Sequence, residues 1–599
     1  MRGAAGRRPS GGGAGGPGTA LARLLAAAAA IGMVGVGAFA ACGRGPGPAD
    51  LVLLHGKIVT VDSARPEAEA LAVRGDTIVA VGTDAEIGPL VGPDTRTIDL
   101  GGRLAVPGFI DSHAHFMGMG RALMELDLMH MSTWNEIVDS VAAEAGRRKP
   151  GSWILGRGWH QEKWSEPFSP SVRGFPTRVA LDRVAPDDPV YLVHASGHAA
   201  IANGAALRAA GIGPDTPDPE GGTIVRDASG RATGVLLDNA EGLVAAALDS
   251  ARSGGTPEEA RAERERQVEL AARDALSKGI TSLQDQGESL ATIDFLKGLA
   301  DRGKLPLRLY VLVSQGEATA ANDSALRAHR MIGYADDHLT VRAIGEVTSD
   351  GALGSHSAWF LEPYADQPDN TGLEVTSQDR IAEIGRIALR DDFQVSVHAI
   401  GDRANRETLD TFAALFDSIG GGADLRWRIE HAQHLSPRDI PRFARLGVIA
   451  SMQGIHACSD GPYVVQRLGE KRAREGAYAW KKLWDTGAVV TNGTDAPVED
   501  VDPLPSFACT VSRKLADGSL FFPEETLSRA QALRTYTLNG AYAAFEEGEK
   551  GSLTPGKLAD IAVLSRDIMT IPADSIASTR VDYTIVGGKV EYERDVAGG

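Results

Sequence analysis

The chain has 599 residues, more than a single domain of roughly 100–200 residues would contain. Its 43% hydrophobic and 23% charged residues are typical of a globular protein and argue against a disordered or fibrous one. The formal net charge of −18, with no basic run in the body of the chain, argues against a nucleic-acid partner, because phosphate neutralisation needs clustered lysine and arginine.

Residues 1–41 have the composition of a secretory signal peptide: four arginines precede an uncharged Ala/Gly-rich run that ends in FAAC at Cys42. FAAC resembles the lipobox of bacterial lipoproteins, although Phe39 stands where leucine is usual. The resemblance implies that Cys42 is lipidated and anchors an exported protein on the extracytoplasmic face of a bacterial membrane. A cleaved signal without lipid, or an uncleaved anchor, is the alternative. Residues 42–50 are rich in Gly and Pro and predict a linker.

Short apolar runs separated by turn signals occupy both ends of the chain body. Near the start they are LVLLHGKIVTVD, ALAVRGDTIVAVG and TRTIDLGGRLAVPG, whose breaks suit hairpins. The far end repeats this pattern in ADIAVLSRD and VDYTIVGGKVEYER, with a Gly-Gly turn at residues 587–588. Residues 51–105 and 546–599 are therefore predicted to form one small β domain from the two ends.

The middle of the chain alternates short apolar runs with helical stretches. Runs such as GITSLQD, LRLYVLV, FQVSVHAI and GVIASMQ are separated by stretches such as DRIAEIGRIALRDD. Strands that alternate with helices indicate parallel βα units, and about eight such units favour a closed (β/α)8 barrel. An open doubly wound sheet is the alternative. In a barrel, the chemistry would lie at the carboxyl ends of the strands.

Histidines and an aspartate stand where several of these strands end. His113 and His115 close AVPGFIDSHAH, and because residues i and i+2 of a strand point to the same face, both would aim at the barrel axis. His398 ends FQVSVH, His431 ends RWRIEH and Asp495 follows AVVTNGT. Imidazole and carboxylate are ligands of zinc and similar divalent ions. The five residues therefore predict a metal site at one mouth of the barrel.

Two further cysteines, Cys458 and Cys509, lie beyond residue 42. Two cysteines do not make a disulfide framework, and neither has a base or a metal-ligand spacing beside it. We therefore interpret both as packing residues in a fold stabilised by core burial. The sequence leaves open whether they pair.

Ten motifs follow one another in order along nearly the whole chain: AVPGFIDSHAHF, ILGRGW, SGHAAIAN, GITSLQD, SDGALGS, VHAIGDRA, RIEHAQ, ASMQGIHACSD, GTDAPVE and GSLTPGKLADIAVL. Together they resemble the metal-dependent amidohydrolases, in particular the subgroup that includes the N-substituted formamide deformylases. The resemblance implies an α/β fold, a distorted (β/α)8 TIM barrel over residues 106–545. A segment at about residues 118–254 would be inserted into it, and the terminal β domain would be a small β-sandwich.

The resemblance also implies which residues bind metal. His113 and His115 would bind one ion and His398 and His431 a second, while Asp495 would bind an ion and act as the proton shuttle. Two divalent ions are expected, with zinc the first choice and Mn, Fe or Co compatible with the same ligands.

Glu346 departs from the family pattern. The bridging ligand of the family, most often a carboxylated lysine, lies on the strand before DGAL, and Glu346 stands there in AIGEVTSDGAL. A glutamate supplies a bridging carboxylate directly, although its shorter arm must bring the backbone or the ions closer. A lost bridge, leaving a single-metal or inactive protein, is the alternative.

Five other residues are weaker candidates. His198 in SGHAAIAN and His456 in QGIHACSD match family motifs and are predicted to reach the substrate, with a structural role as the alternative. Trp159 in GRGWHQEKW is predicted to line the pocket, with core packing as the alternative. Asp285 and Asp350 are predicted to orient the metal ligands without touching the metal.

These features predict a metal-dependent hydrolase that cleaves a non-peptide C–N bond, of amide type, in a small molecule. A metal-activated hydroxide would attack, with Asp495 as general base and then general acid. Hydrolysis of an ester, a lactone or a cyclic amide at the same site is an alternative. A different class of function is also possible for this fold: a surface lipoprotein that has the same barrel, binds a ligand and has no catalytic activity.

Overall fold

The structure, a computed structural model, describes residues 47–252, 256–421 and 424–595. The predicted signal peptide, the predicted lipidation site at Cys42 and most of the predicted linker therefore lie outside the described residues. Within those three ranges, no helix is both long enough and apolar enough to cross a bilayer.

Eight parallel strands form the centre of the fold, and each is hydrogen-bonded to the next along the chain. They are β1 (Phe109–Ala114), β2 (Ile280–Glu288), β3 (Arg308–Val313), β4 (Leu339–Thr348), β5 (Gln394–Ala399), β6 (Arg428–His431), β7 (Ile449–Gln453) and β8 (Val490–Gly493). Nearly all of their residues are buried, as expected for a parallel sheet that is covered on both faces. A short antiparallel strand, Met331–Gly333, pairs with β4.

Hydrogen bonds just beyond the strand ends bring β8 back to β1. The Asp495 amide donates to the His113 carbonyl at 2.7 Å, and the His115 amide donates to the Ala496 carbonyl at 2.8 Å. The prediction of a distorted (β/α)8 barrel is therefore confirmed, and the open doubly wound sheet is wrong. This near-closure also places the loop after β8 beside the two histidines of β1.

Amphipathic helices cover the barrel. Gln378–Asp391, for example, buries Ile381, Ile384 and Ala388, whose spacing puts them on one face of a helix. The helices between and after the barrel strands are Phe116–Ala122, Pro257–Ser277, Leu290–Ala300, Gln315–Ala320, Asp323–Ala328, Tyr334–Asp337, Gln378–Asp391, Asp402–Ser418, Ile440–Leu446, Gly454–Leu468, Glu470–Gly476, Trp480–Asp485, Pro503–Ser512, Arg529–Thr535 and Leu538–Ala543.

The segment between β1 and Pro257–Ser277 has a six-stranded sheet and an apolar core of its own. In spatial order its strands are Gly222–Arg226, Ala232–Asp238, Ala199–Ala202, Val190–His194, Ile154–Trp159 and Leu126–Asp127. Its helices are Trp134–Ala145, Val179–Val184, Gly204–Ala209 and Glu241–Arg252. Residues of this inserted segment form one wall of a cavity at the mouth of the barrel.

Two sheets made from the chain ends form the predicted β-sandwich. One contains Thr77–Gly82, Ala70–Arg74, Leu51–Leu54 and Arg96–Asp99. The other contains Lys589–Glu593, Val581–Val586, Ile561–Leu564, Leu104–Pro107, Lys57–Val59 and Glu67–Ala68. Leu53, Leu71, Ile561 and Ile585 are all fully buried in the core between them. Burial of apolar side chains from both ends therefore holds the termini together.

A buried ion pair joins the barrel to the sandwich. The Arg308 guanidinium, 2% exposed, donates to both carboxylate oxygens of Asp560 at 2.8 and 3.1 Å. Burial raises the pKa of Asp560, but the charge and hydrogen bonds of Arg308 lower it below its ordinary value. The carboxylate is therefore ionised at neutral pH, and each charge depends on the other for compensation.

Asp560→Ala is expected to lower the free energy of unfolding by about 3–5 kcal/mol, because it leaves the Arg308 charge buried without a partner. Urea denaturation followed by circular dichroism measures this loss. Glu470→Ala is the control, since it breaks an exposed i,i+4 pair with Arg474 and should change stability little. Equal losses in the two variants would contradict the role given to the buried pair.

A disulfide joins Cys458 to Cys509, with 6.0 Å between the Cα atoms. It links the helices Gly454–Leu468 and Pro503–Ser512, which are 51 residues apart at the two cysteines. The interpretation of both cysteines as packing residues alone was wrong, because the packing of the two helices brings their sulfurs together. A crosslink between distant residues stabilises a fold by restricting its unfolded chain.

Candidate metal centre

Six candidate ligands converge at the carboxyl ends of the barrel strands. Their possible ligand atoms form three overlapping groups, and within each group all atoms lie within 4.8 Å of one another. The groups are His113, His115 and Glu346; His113, His431 and Asp495; and Glu346, His398 and His431. The structure thus brings together every residue predicted to bind metal, from five different strands or the loops that follow them.

Glu346, on β4, lies between the histidines assigned to the two ions. Its Oε1 is 3.0 Å from His398 Nδ1 and 3.1 Å from His431 Nε2, and its Oε2 is 3.8 Å from His113 Nε2. The shorter arm of glutamate is therefore long enough to reach both sides of the site. This is the position a bridging carboxylate requires, and the bridging role itself stays a prediction.

Asp495, which follows β8, faces the two histidines at the end of β1. Its Oδ1 is 3.4 Å from His113 Nε2 and 3.3 Å from His115 Nε2. Its Oδ2 faces His456 Nε2 at 3.9 Å. Burial raises the pKa of Asp495, but the surrounding imidazoles lower it well below its ordinary value, so the group is a carboxylate at neutral pH.

Hydrogen bonds on the far side of two rings decide which nitrogen faces the site. His113 Nδ1 lies 2.7 Å from Glu430 Oε2, and His431 Nδ1 lies 2.7 Å from Gln453 Oε1. Burial raises the pKa of Glu430, but Arg428 brings it down to about 2, so this carboxylate only accepts. Both Nδ1 atoms therefore donate, and in a neutral imidazole the Nε2 atom then carries a lone pair.

These lone pairs point at carboxylate oxygens, an arrangement that requires positive charge between them. His113 Nε2 is buried and has no hydrogen-bond partner among the described residues, and it faces oxygens of Asp495 and Glu346 at 3.4 and 3.8 Å. Burial lowers the pKa of His113, but the two carboxylates raise it well above its ordinary value. A divalent cation satisfies nitrogen lone pairs and carboxylates at once, so the donor set fits a metal.

Glu430 and Gln453 are functional residues that sequence reasoning missed. The signal for Glu430 was present in RWRIEH, because Arg428 and Glu430 share the strand face that points into the barrel. Arg428 donates to both oxygens of Glu430, at 2.7 and 2.9 Å, and so holds it against His113. Gln453 stands at the end of β7, as the histidines stand at the ends of their strands. Its role depends on its contact with His431 on the neighbouring strand, which the sequence does not show.

Gln453→Met is expected to weaken metal binding about 10–100-fold, because it removes the acceptor that fixes the His431 ring and leaves its size nearly unchanged. Zinc affinity can be measured by competition with a chromogenic chelator. Gln453→Glu is the matched control, since it keeps an acceptor for Nδ1 and should retain affinity. Equal affinities in the wild type and both variants would show that the contact does not orient His431.

Two of the candidate ligands adopt a left-handed backbone conformation, which residues other than glycine rarely adopt. His431 and Asp495 have φ angles of 66° and 59°. Such conformations cost about 1–3 kcal/mol each and persist at functional sites where the surrounding structure imposes them. Here the strain directs both side chains across the barrel mouth toward the other ligands.

His198 and His456, predicted to reach the substrate, both line the cavity above the site. His198 Nδ1 lies 2.9 Å from Asp238 Oδ1, and the His198 ring centre is 4.7 Å from that of His398. His456 Nδ1 faces the Gln433 amide nitrogen at 3.1 Å. Both positions suit a substrate contact, which stays a prediction.

Trp159 does not line the cavity, so its predicted substrate contact is wrong. Its side chain is fully buried in the core of the inserted segment, and its Nε1 donates to the Leu192 carbonyl at 2.9 Å. The register of its strand shifts between Arg157 and Trp159, where Gly158 has a φ of 110°. This bulge re-aims the strand, so that Arg157 faces the cavity and Trp159 faces the core.

Asp285 and Asp350 act on the backbone beside the ligands. Asp285 accepts from the Phe116 amide at 3.1 Å, directly after His115. Asp350 accepts from the amides of Trp359, Ile400 and Gly401 at 2.7 to 2.9 Å, and the last two follow His398 closely. Both hold the loops that carry the histidines in place, and Asp350 Oδ1 also lies 3.6 Å from His398 Nε2. That these two residues orient the metal ligands stays a prediction.

The cavity above the candidate metal centre has a volume of about 500 Å³. The barrel contributes its floor, where His115, Glu346, His398, His431 and Asp495 are exposed to it. The inserted segment contributes an opposite wall, which combines apolar side chains with Arg157, Tyr191 and His198. A cavity of this size accommodates a small molecule.

Known proteins are similar in sequence to this chain over most of its length. Residues 96–592 match the amidohydrolase family. The chain is 34% identical to Protein LONG AFTER FAR-RED 3 of Arabidopsis thaliana, over 91% of this chain and 92% of that protein. It is 29% identical to the N-substituted formamide deformylase of Arthrobacter pascens, over 91% of this chain and 98% of that protein.

A solved structure has a similar fold. It is an uncharacterized metal-dependent hydrolase from Pyrococcus furiosus, which superposes with a TM-score of 0.66 at 27% sequence identity. The match covers 87% of this chain and 100% of that one. The similarity therefore extends over most of this chain.

Proposed function

The chain belongs to the amidohydrolase family and is a metal-dependent hydrolase, and from this premise we propose that it cleaves a non-peptide C–N bond of amide type in a small molecule. Family membership agrees with the resemblance read from its motifs. The observation that carries the proposal is the position of Asp495, a carboxylate between the candidate ligands and the cavity.

Amide cleavage needs a group in that position. An amine leaves poorly as an anion, so its nitrogen must receive a proton as the C–N bond breaks, whereas an ester's alcohol needs less help. Asp495, ionised at neutral pH, can accept a proton from the attacking water and deliver it to the departing nitrogen. One residue thus serves as base and then as acid within reach of the cavity.

His113 and His115 would hold one divalent ion, His398 and His431 the other, and Glu346 would contact both. When bound, such ions, zinc by expectation, supply a nucleophile by lowering the pKa of water and polarise the scissile carbonyl. Glu430 and Gln453 keep the Nε2 lone pairs of His113 and His431 directed into the site. The inserted segment limits access of bulk water by covering one side of the cavity.

The name of one relative supports the bond type. The Arthrobacter pascens protein, 29% identical over 91% of this chain, is an N-substituted formamide deformylase, and a formamide is an amide with a C–N bond outside a peptide. Similarity to a protein of that name favours amides over esters and lactones as substrates of this chain.

Elemental analysis and a substrate panel test the proposal. The purified chain should contain close to two divalent ions and should hydrolyse N-formyl or N-acyl amines faster than matched esters and lactones. Treatment with a chelator should abolish turnover and added zinc should restore it. Preference for esters or lactones would replace the proposed bond type, and metal-free protein without turnover would favour a silent binding protein.

We also propose that the protein works outside the cytoplasm, held by lipid on Cys42. The disulfide between Cys458 and Cys509 supports this location, because disulfides persist in oxidising compartments. Mass spectrometry of the N-terminal peptide from membranes of the native host would find a lipidated Cys42 as the first residue. An unmodified peptide that contains residues before Cys42 would contradict the anchor.

A further inference from the structure

Arg157 lies in the cavity between the two loops that carry Asp495 and His198. Its Nε donates to the Pro497 carbonyl at 3.2 Å, and its Nη2 donates to the Ala195 carbonyl at 3.3 Å. Pro497 stands two residues after Asp495, and two residues of extended chain span at most about 7 Å. The guanidinium is therefore close enough to the candidate metal centre for one small molecule to contact both.

The positive charge of Arg157 has no ion-pair partner among the residues that the structure describes. Its hydrogen bonds go to backbone carbonyls, which orient the guanidinium without neutralising it. Asp495, Glu241 and Glu125 act on the guanidinium electrostatically, but none of these three carboxylates forms an ion pair with it. Arginine stays charged at neutral pH, so this wall of the cavity presents a cation that is not in an ion pair with any described residue.

Apolar side chains occupy the cavity wall around this cation. They come from the inserted segment and from the barrel loops, and include Leu155, Val193, Leu248, Leu353 and Val498. A molecule that fills the cavity would therefore place an apolar group against these side chains. It would meet a cation on one side and the candidate metal centre on the other.

We propose that the substrate is an amide that also carries a carboxylate, and that Arg157 binds this carboxylate while the amide carbonyl lies at the candidate metal centre. The inference rests on the proposed amide hydrolysis. N-acylated amino acids with an apolar side chain have all three required groups, an amide, a carboxylate and an apolar substituent, within a few bonds of one another. A planar guanidinium and a carboxylate form a charge-assisted pair, which gives the site its specificity.

A matched pair of ligands that cannot be hydrolysed tests the inference without turnover. N-methanesulfonyl-leucine carries the carboxylate, and its primary amide is a neutral analogue of nearly the same shape. With zinc-supplemented protein, calorimetry should find the acid bound about 10-fold or more tightly than the amide, since hydrogen bonds to charged groups are the stronger ones. Equal affinities, or no binding of either ligand, would overturn the inference.

Substitutions separate recognition from a structural role. Arg157→Gln should abolish the preference for the acid and leave the affinity for the amide close to wild type, and Arg157→Lys should restore part of the preference. Arg121→Gln removes another cavity cation and should affect the two ligands equally. If Arg157→Gln weakens both ligands equally, the residue only holds the loops, and the inference is wrong.

Turnover distinguishes this inference from the proposed function. N-formyl-leucine and N-formyl-leucinamide differ only in the carboxylate, and the first should have the lower KM. Hydrolysis of both with the same KM would remove the carboxylate preference and keep the amide hydrolase. Hydrolysis of neither, with binding preference intact, would remove the proposed bond type and keep recognition by Arg157.

Discussion

Asp495→Asn is expected to lower turnover by about 10²–10⁴-fold, the range over which a positioned general acid–base acts. The amide of asparagine has nearly the same shape and still offers an oxygen to the ion, so the metal content should stay at the wild-type value. What it loses is the ability to take a proton from water and return it to the leaving nitrogen. The distances of 3.3 and 3.4 Å to His115 and His113 place this loss at the reacting centre.

Steady-state kinetics on an N-formyl amine, with elemental analysis of the same samples, measures both effects. Asp485→Asn is a control for removal of one carboxylate, because Asp485 is an exposed residue at the end of a helix and pairs with Lys481. Unchanged turnover in Asp495→Asn with full metal content would rule out the shuttle. Loss of metal together with turnover would reassign the residue to binding alone.

Glu346→Gln is expected to lower the bound metal from about two ions toward one. Turnover should fall by more than the roughly 10–100-fold that is typical when a residue hydrogen-bonded to a metal ligand is replaced. The oxygens of Glu346 approach His113 on one side and His398 and His431 on the other. Burial raises the pKa of Glu346, but the three imidazoles lower it well below its ordinary value. Its charge is therefore available to two cations, and an amide has no such charge.

Metal stoichiometry by elemental analysis after dialysis decides this prediction. Glu346→Asp is the matched variant, since it keeps the carboxylate on an arm shorter by one carbon and should retain more metal than Glu346→Gln. A Glu346→Gln variant that keeps two ions and full turnover would exclude the bridge. The six-residue site would then depend on its histidines and Asp495.

Several parts of the site could be predicted because their signals are local. A polar residue directly after an apolar strand is visible in the sequence, and parallel strands place such residues at one mouth of a barrel. This reasoning found His113, His115, His398, His431 and Asp495 before any contact was known. Glu346 was found differently, through its position relative to DGAL in a motif whose usual residue is lysine.

Other parts depended on contacts between distant segments. The sequence does not show which histidines these residues contact: Glu430 reaches from β6 to His113 on β1, and Gln453 contacts His431 on the neighbouring strand. Trp159 was predicted to line the pocket from the motif GRGWHQEKW, but a bulge at Gly158 turns its side chain into the core while Arg157 faces the cavity.

The sequence by itself determined the class of fold, the order of its strands and the chemical type of the site, because apolar periodicity and polar strand ends are local properties. Tertiary structure alone decided the near-closure of the barrel, the pairing of Cys458 with Cys509 and the tautomers of the histidines. It also left the Arg157 charge facing the cavity with no ion-pair partner among the described residues. Each of these depends on distances between residues far apart in the chain, which are set only when the helices, strands and loops pack together.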